Sequence, residues 1–530
     1  MVRPDARPDA GRRARPFLIP LSPSLIIVCG MAGAALVALV VYDLSFPLAL
    51  NDDWMYSWSV RQLVAGHGLR VFPESTALAI PQVFWGAIFS LGHPDPRLLR
   101  LSVVPIVGST AWISYLLARR LGADRFWAAV AGTALLAMPL FMTNATTFMT
   151  DNVFVGIVMA VALTSLAWVN HGKWRWLCVA LLVLAPLERQ VGLALIPAVT
   201  LGLAMWRRPA WARSDTAALV AIWVIPFGAL LAASRLLIRQ PLYSPADLFQ
   251  LQVDHAIFPL AAILGLGLIP FSAALAFRPR LPGRESGWSL ACAGLGLLGA
   301  IGCLVDLARF GMIFPGNVFS PLGFAAILPG SKPPVFPGLV FQVVEIAAVI
   351  TLVMLFIVRR RWWTPSRLAP DSVLLIVISA SQFLPLLAVQ IFVYDRYFLP
   401  VLAPLVPLTA SMATAGVRQR VARSWAALAL AGGLAMYVIG EQDYLAWQAA
   451  RDQAARLAYQ SVPRDRVQAG FEANAVYVEL PRYERSGRAD LFAILGPAQP
   501  EVTLRIEPPS DPRPGVAYGS LAPGRVVLDR

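Results

Sequence analysis

Acidic side chains are scarce in this chain: Asp and Glu supply 30 of 530 residues, and charged residues of both signs make up only 14%. Cysteine is scarcer still. Cys29, Cys178, Cys292 and Cys303 all lie inside apolar stretches without metal-type spacing, so they read as small core residues and say nothing about redox compartment. The four histidines, His67, His93, His171 and His255, also lack the spacing of metal ligands. No Walker-type loop is present to cradle nucleotide phosphates. No internal repeat of fixed period appears, which weakens an inverted-repeat transporter reading.

What the chain has in quantity is hydrocarbon. It is 58% hydrophobic with a mean hydropathy of +0.64. Repeated apolar runs reach the roughly 20 residues needed to cross a bilayer, so a soluble fold is excluded. The expected class is an all-α polytopic membrane protein. The net charge of +14 does not point to nucleic acid, because the arginines sit in short loops between apolar runs, where they act as topology signals. Arg12-Arg13 before Pro16-Phe17-Leu18 faintly resembles a twin-arginine export signal. The run from Ser24 to Tyr42 is long, however, and no convincing small-residue cleavage site follows, so a retained first helix is expected.

Placing the basic loops inside puts Arg3 to Arg15, Arg119 to Arg125, Lys173 to Arg175, Arg207 to Arg213, Arg278 to Arg284, Arg359 to Arg367 and Arg418 to Arg423 in the cytoplasm. About thirteen spans follow, beginning at 24–43 and ending at 424–442, with a cytoplasmic tail over 1–23 and a membrane domain over 24–444. The location expected is a bacterial inner or plasma membrane. Thr76 to Leu91 is apolar but short and contains Pro81. It reads as an interfacial or re-entrant helix in the long first external loop, 44–97, and as the roof of a site. Beyond Tyr444 a charged segment and short alternating runs, Val502 to Ile506 and Val526 to Leu528, predict a small external α/β domain over 445–530.

Against this background Asn51-Asp52-Asp53-Trp54 stands out: two adjacent carboxylates just after the first span. Asp52 and Asp53 begin a weakly amphipathic helix whose Trp54 and Trp58 could lie against the membrane surface. One aspartate could be an N-cap, but capping needs only one carboxylate. Asp151, in Thr150-Asp151-Asn152, could be another cap or could complete an acidic cluster with Asp52 and Asp53 for an acceptor or a divalent metal. Basic counterparts on the same side are Arg189, Arg396 in Tyr394-Asp395-Arg396-Tyr397, and Arg235 with Arg239 one helical turn apart. A guanidinium there suits a phosphate, and pairing with the adjacent Glu188 or Asp395 is the alternative. Glu345 lies within a span with Gln342 on its face, suggesting a polar crevice near the acceptor, and His67 is placed near the external cavity.

These motifs in this order resemble the GT-C membrane glycosyltransferases, in particular the branch with protein O-mannosyltransferases and the lipid A aminoarabinose transferase. The features are an acidic pair after the first helix, Thr150-Asp151 in the second external loop, Arg189 after the fifth span and Arg396-Tyr397-Phe398-Leu399-Pro400 late in the chain. The resemblance covers roughly residues 20 to 445. It implies a GT-C-like fold and sugar transfer from a polyprenyl-phosphate donor to an external glycan, lipid or protein acceptor. By position, Asp52 matches the catalytic aspartate, Asp53 the second acidic member, Asp151 the second-loop acid, and Arg189 and Arg396 basic positions near the donor phosphate. Asp52-Asp53-Trp54 departs from the family pattern, in which several relatives have Asp-Glu followed by other residues. A transporter or lipid-linked sugar flippase is the competing reading, with the same charges lining a path. A structural protein whose loop acids are only caps is a third, and leaves Glu345 and the external arginines unexplained.

Overall fold

The computed structural model describes residues 48, 50–73, 75, 77–205, 213–237, 253–276, 287–310, 319–324, 328–358, 369–388, 394–414, 419–488, 497, 500–520 and 522–529. The expected first span, 24–43, and Arg239 lie outside them. The protein is a helical membrane protein with a strand-containing C-terminal region. Among the described residues eight helices are long and apolar enough to cross a bilayer, and up to ten if each of two bent pairs is one span. The expected thirteen exceeds that number.

Helix α1 (Asp53–Val64) is followed by α2 (Ile80–Phe89) and α3 (Pro96–Arg120). At about 1.5 Å per residue, the ten residues of α2 reach only half the hydrocarbon thickness. It exposes Phe84, Trp85 and Ile88 and buries Gln82, Val83 and Gly86. Gly86 is required by close packing, since a Cβ there would lie 2.7 Å from the Phe148 ring. The start of α3 is set by Pro96 and by Asp95, which accepts from the Arg97 amide at 2.7 Å.

Next come α4 (Arg125–Leu136) and α5 (Pro139–Ala145), bent by 61° across a break. Pro139 explains it, because a proline disfavours helix at the preceding residue, and Met138 is extended. Helix α6 (Thr150–His171) is buried along most of its length and packs against α3 and α7 (Arg175–Glu188). A 3-10 turn, Gln190–Ala194, leads into α8 (Leu195–Met205) and then α9 (Arg213–Leu237), α10 (Val253–Leu268) and α11 (Ser272–Ala276). Further on lie α12 (Gly287–Phe310), α13 (Gly338–Leu352), α14 (Pro370–Ala388), the bent pair formed by the 3-10 turn Asp395–Phe398 and α15 (Leu399–Leu402) with α16 (Leu405–Ala413), and α17 (Gln419–Ala458). The arginine-rich end of the bundle is tied by Arg120–Asp371 at 3.1 Å, Arg175–Asp215 at 2.9 Å and Arg423–Asp124 at 3.2 Å.

Helix α17 runs without a break through Tyr444, where the sequence reading had set a domain boundary. Besides the short hairpin of β1 (Phe319–Ser320) and β2 (Gly323–Phe324), there is a C-terminal sheet beside which the far part of α17 is buried, containing β3 (Val467–Gln468), β4 (Val502–Glu507), β5 (Gly515–Tyr518) and β6 (Gly524–Asp529) in the order β3-β4-β6-β5. The two predicted alternating runs are β4 and β6, paired antiparallel with Leu504 opposite Leu528. The segment before α13 joins the same sheet through the parallel bridge of Gly330 with Ile506.

One surface expectation is overturned. Trp54 and Trp58 do not face the membrane. They are buried with Phe72, at 4.9 and 5.3 Å between ring centroids, and Trp58 also meets Tyr483 of α19 (Leu480–Ser486) at 5.5 Å. This separate aromatic core fastens α1 to the C-terminal region.

Candidate active site

The two adjacent aspartates point in different directions. Asp53 is buried and turned inward: its Oδ1 accepts from the Leu50 amide at 2.8 Å and its Oδ2 from Arg100 Nε at 3.3 Å. Arg100 also donates to the Leu48 carbonyl. Burial pushes Asp53 up to about 6, against the pull of Arg100. Asp53 therefore locks the chain before α1, a different role from the catalytic one expected of it.

Asp52 occupies the N-cap position of α1 but makes no capping hydrogen bond. Its Oδ2 accepts instead from Arg396 Nη2 at 2.9 Å. Arg396 Nε lies 3.7 Å from Asp151 Oδ2, and Arg189 Nη1 donates to Asp151 Oδ1 at 2.5 Å. Asp151 is no cap either, since the N-cap of α6 is Met149. Two carboxylates and two guanidiniums from four distant segments thus form one continuous network. Tyr397 lies under both arginines, 4.8 Å from Arg189 and 5.7 Å from Arg396, and Tyr394 is 4.9 Å from Arg396.

Exposure separates the members. The Asp52 side chain is 19% exposed, against 6% for Arg396 and 1% for Asp151, so Asp52 is the carboxylate that an incoming molecule meets. Burial holds its carboxyl above the ordinary 3.8, with Asp151 and Glu472 adding to the rise and Arg396 opposing it. A raised carboxylate beside cations is chemically suited to take a proton from a hydroxyl.

Neither guanidinium forms an ion pair with its sequence neighbour, although the Arg396 amide donates to Asp395 Oδ1 at 2.8 Å. Glu188 Oε2 accepts from the Gln82 amide at 3.0 Å, holding the start of α2. Asp395 accepts from the Phe319 amide at 3.0 Å. Arg189 is fixed by the sharp junction between α7 and the 3-10 turn. Gly192 makes that junction, because a Cβ there would fall 2.5 Å from the Ala185 carbonyl carbon.

The other candidates do not join the network. Arg235 is exposed on α9. Glu345 is buried on α13, which packs against α10 and α12 rather than on the segments that carry the cluster. His67 is exposed, with Nδ1 3.1 Å from Gln62 Oε1. A metal held by Asp52, Asp53 and Asp151 does not fit: each carboxylate is engaged by arginine, Asp53 faces away, and among the described residues no three His, Cys, Asp or Glu are grouped as ligands.

Two acids and one base escaped the sequence reading. Arg100 fell inside an expected span and was not singled out, although a guanidinium in the first turn of an apolar run should signal a buried partner. Glu188 was weighed only as a partner for Arg189. Glu472 gave no local signal at all.

No protein-family model and no curated protein matches the chain. Among solved structures, ArnT from Cupriavidus metallidurans bound to undecaprenyl phosphate is similar over 95% of this chain and 97% of its own, at 15% identity and a TM-score of 0.40. The apo state of the same protein is similar over 95% and 98%, at 14% identity and a TM-score of 0.40.

Proposed function

We propose that this protein is a membrane glycosyltransferase that moves a sugar from a polyprenyl-phosphate donor to an extracytoplasmic glycan, lipid or protein acceptor. The observation that carries the reading is Asp52: a half-buried carboxylate at a cap position that forgoes capping and instead meets Arg396, which is itself shared with Asp151. Asp52 accepts the proton of the acceptor hydroxyl as its oxygen attacks the anomeric carbon. Positioned base catalysis contributes about 10² to 10⁴ in rate. The bond from that carbon to the phosphate oxygen breaks, and Arg189 and Arg396 stabilise the charge gathering on the departing phosphate. A single displacement inverts the sugar.

Charge balance gives the site an order of events. Two carboxylates and two guanidiniums leave no net cation for a phosphate, so the donor must draw an arginine from its carboxylate. Arg396 is the one shared between two acids, and moving it to phosphate leaves Asp52 as an unpaired base. The base is thereby released when the donor arrives, ready to take the proton of an acceptor hydroxyl. Support for a lipid-linked donor comes from an apolar cavity of about 650 Å³ walled by Met138, Pro139, Phe336, Val343 and Met436. Pro139 begins α5, which packs against the turn that carries Arg396.

The test is transfer from a panel of labelled polyprenyl-phosphate sugars into membrane extract by the purified protein, beside Asp52→Asn. Release of polyprenyl phosphate that requires Asp52 supports the reading. An Asp52→Asn protein as active as the native one, or intact donors throughout, sinks it and turns attention to transport.

A further inference from the structure

Glu472 lies in the C-terminal region, on α18 (Phe471–Asn474), yet it reaches the segment that carries Asp52. It is 1% exposed. Its Oε1 accepts from the Asn51 amide at 3.3 Å, from Gln448 Nε2 at 2.9 Å and from the Tyr444 hydroxyl at 3.4 Å, and its Oε2 accepts from Arg451 Nη1 at 2.5 Å. Tyr444, Gln448 and Arg451 are spaced four and three residues apart on α17 and therefore present one face. That face grips the carboxylate and fixes the direction in which it points.

The recipient is a turn that needs holding. Asn51 has φ 55°, the left-handed region that a side chain rarely adopts. The Asp53 amide closes the turn onto the Leu50 carbonyl at 3.2 Å, and the Met55 amide begins α1 on the Asp52 carbonyl at 3.1 Å. The Asn51 amide has no role in either bond, and Glu472 takes it. Arg100 secures one side of this turn through Asp53, and Glu472 secures the other.

We propose that Glu472 is a positioning residue for Asp52, so that the C-terminal region is a working part of the site rather than an appendage. Its hydrogen bond sets the angle at which the Leu50–Asp53 turn presents Asp52, and its negative charge, close by in a buried setting, strengthens Asp52 as a base. The charged and titratable groups facing Asp52 are Arg396 and Asp151 from the network, Glu472 from the C-terminal region, and Tyr56 on α1, whose own environment includes Asp52, Asp151 and Arg189. Those facing Glu472 are Arg451 and Tyr444 from α17 and Asp52 and Asp53 from the turn. The proposal rests on Asp52 being the base.

The experiment measures the titration midpoint of Asp52 itself, as the infrared difference between native protein and Asp52→Asn, with the full chain in lipid nanodiscs. The same difference is then taken in the Glu472→Gln/Arg451→Gln background, which removes the buried pair together so that neither charge is stranded. Lys332→Gln/Asp443→Asn, which removes another buried pair of α17, 2.6 Å apart and holding neither Glu472 nor Asn51, is the control for general damage to the region. The expected result is a lower Asp52 midpoint in the double background but not in the control, with faster deuterium exchange confined to residues 48–55. Where a donor is turned over, kcat falls about 10- to 100-fold with KM within about twofold, the size of loss that a misplaced catalytic group gives, and the acid limb moves down. An unchanged midpoint, or equal effects in the control, overturns the proposal. Should Asp52→Asn itself prove active, the function reading fails, while the midpoint still decides whether Glu472 governs Asp52.

Discussion

Removing Arg100 should damage the protein in a way that depends on pH, and the sign follows from the geometry. Arg100 is 1% exposed, spans 3.3 Å to Asp53 and also donates to the Leu48 carbonyl. Arg100→Met keeps the bulk of the side chain but strands a buried carboxylate and an unmet carbonyl. Breaking such a pair from one side costs about 3–5 kcal/mol. At roughly 2 °C per kcal/mol for a large domain, the melting midpoint should fall by about 6–10 °C. Asp53 is already held up to about 6 from 3.8 in the folded protein, and losing the cation raises it further. A raised folded-state carboxyl leaves stability intact below the unfolded value of 3.8 and removes it as pH climbs through the folded value. The gap between native and variant should therefore be smallest near pH 4, where only the Leu48 contact is missed, and should widen as pH climbs above about 6. Thermal unfolding in detergent across that range measures it, with Arg100→Met/Asp53→Asn as the companion that should recover most of the loss. A gap that is flat with pH, or widest in acid, would refute the reasoning.

The remaining expectations can be checked once a donor is in hand or by the same stability assays. The acid limb of kcat/KM should lie above 3.8, since burial holds Asp52 up and the base is lost as pH falls through the raised value. Arg396→Gln removes the opposing attraction and should move that limb further up, and a downward move would contradict the Asp52 assignment. Gly192→Ala should cut transfer about 10- to 100-fold through displacement of Arg189, because the new Cβ meets Ala185 backbone rather than a side chain that can swing away. Native-like turnover would show that the junction can open without moving Arg189. Chelator treatment should leave activity unchanged, because Asp53 is turned inward onto Arg100 and Asp151 is held by Arg189, which leaves Asp52 without a second carboxylate to share a metal. Loss with EDTA and recovery with a divalent salt would show that the carboxylates exchange those partners.

Much of the site was legible because membrane proteins make charge conspicuous. Asp52, Asp151, Arg189 and Arg396 each sit at the end of an apolar run, where a charge needs a reason, and the structure brings these four together. What could not be read was which acid meets which base. Local pairing of Arg189 with Glu188, and of Arg396 with Asp395, looked equally good along the chain. Glu188 and Asp395 are instead used by the amides of Gln82 and Phe319, a matter of how distant segments lie rather than of spacing. Trp54 and Trp58 misled for a related reason. An aromatic face at a helix start fits a membrane surface and a protein partner equally, and the partner, Tyr483, lies more than 400 residues away. Pro139 bends one expected span, 126–143, into two pieces, a break that apolar periodicity alone does not reveal.

The position of the network follows from the breaks themselves. Its four charged members come from places where a helix ladder is interrupted: Asn51 is left-handed, Met149 and Tyr394 are extended, and Arg189 itself is extended at φ −138° and ψ 131°. Inside a continuous helix, side chains project radially at fixed spacing, and four helices can bring only a few of them to one point. A break lets the chain turn a charged side chain toward a shared centre, at the expense of backbone groups that need other partners. At depth in a membrane protein, such a break survives only where protein or a polar cavity supplies them. Asp395 serves that need at its own break, its Oδ1 accepting from the Arg396 amide at 2.8 Å. Glu188 and Asp395, the sequence neighbours of Arg189 and Arg396, also accept from backbone amides of α2 and of the segment before α13. Each arginine that enters the network is thus accompanied by an adjacent acid that ties a second segment to the break. Neutralising Glu188 or Asp395 should therefore disturb the site by loosening the walls, while the charges at its centre remain in place.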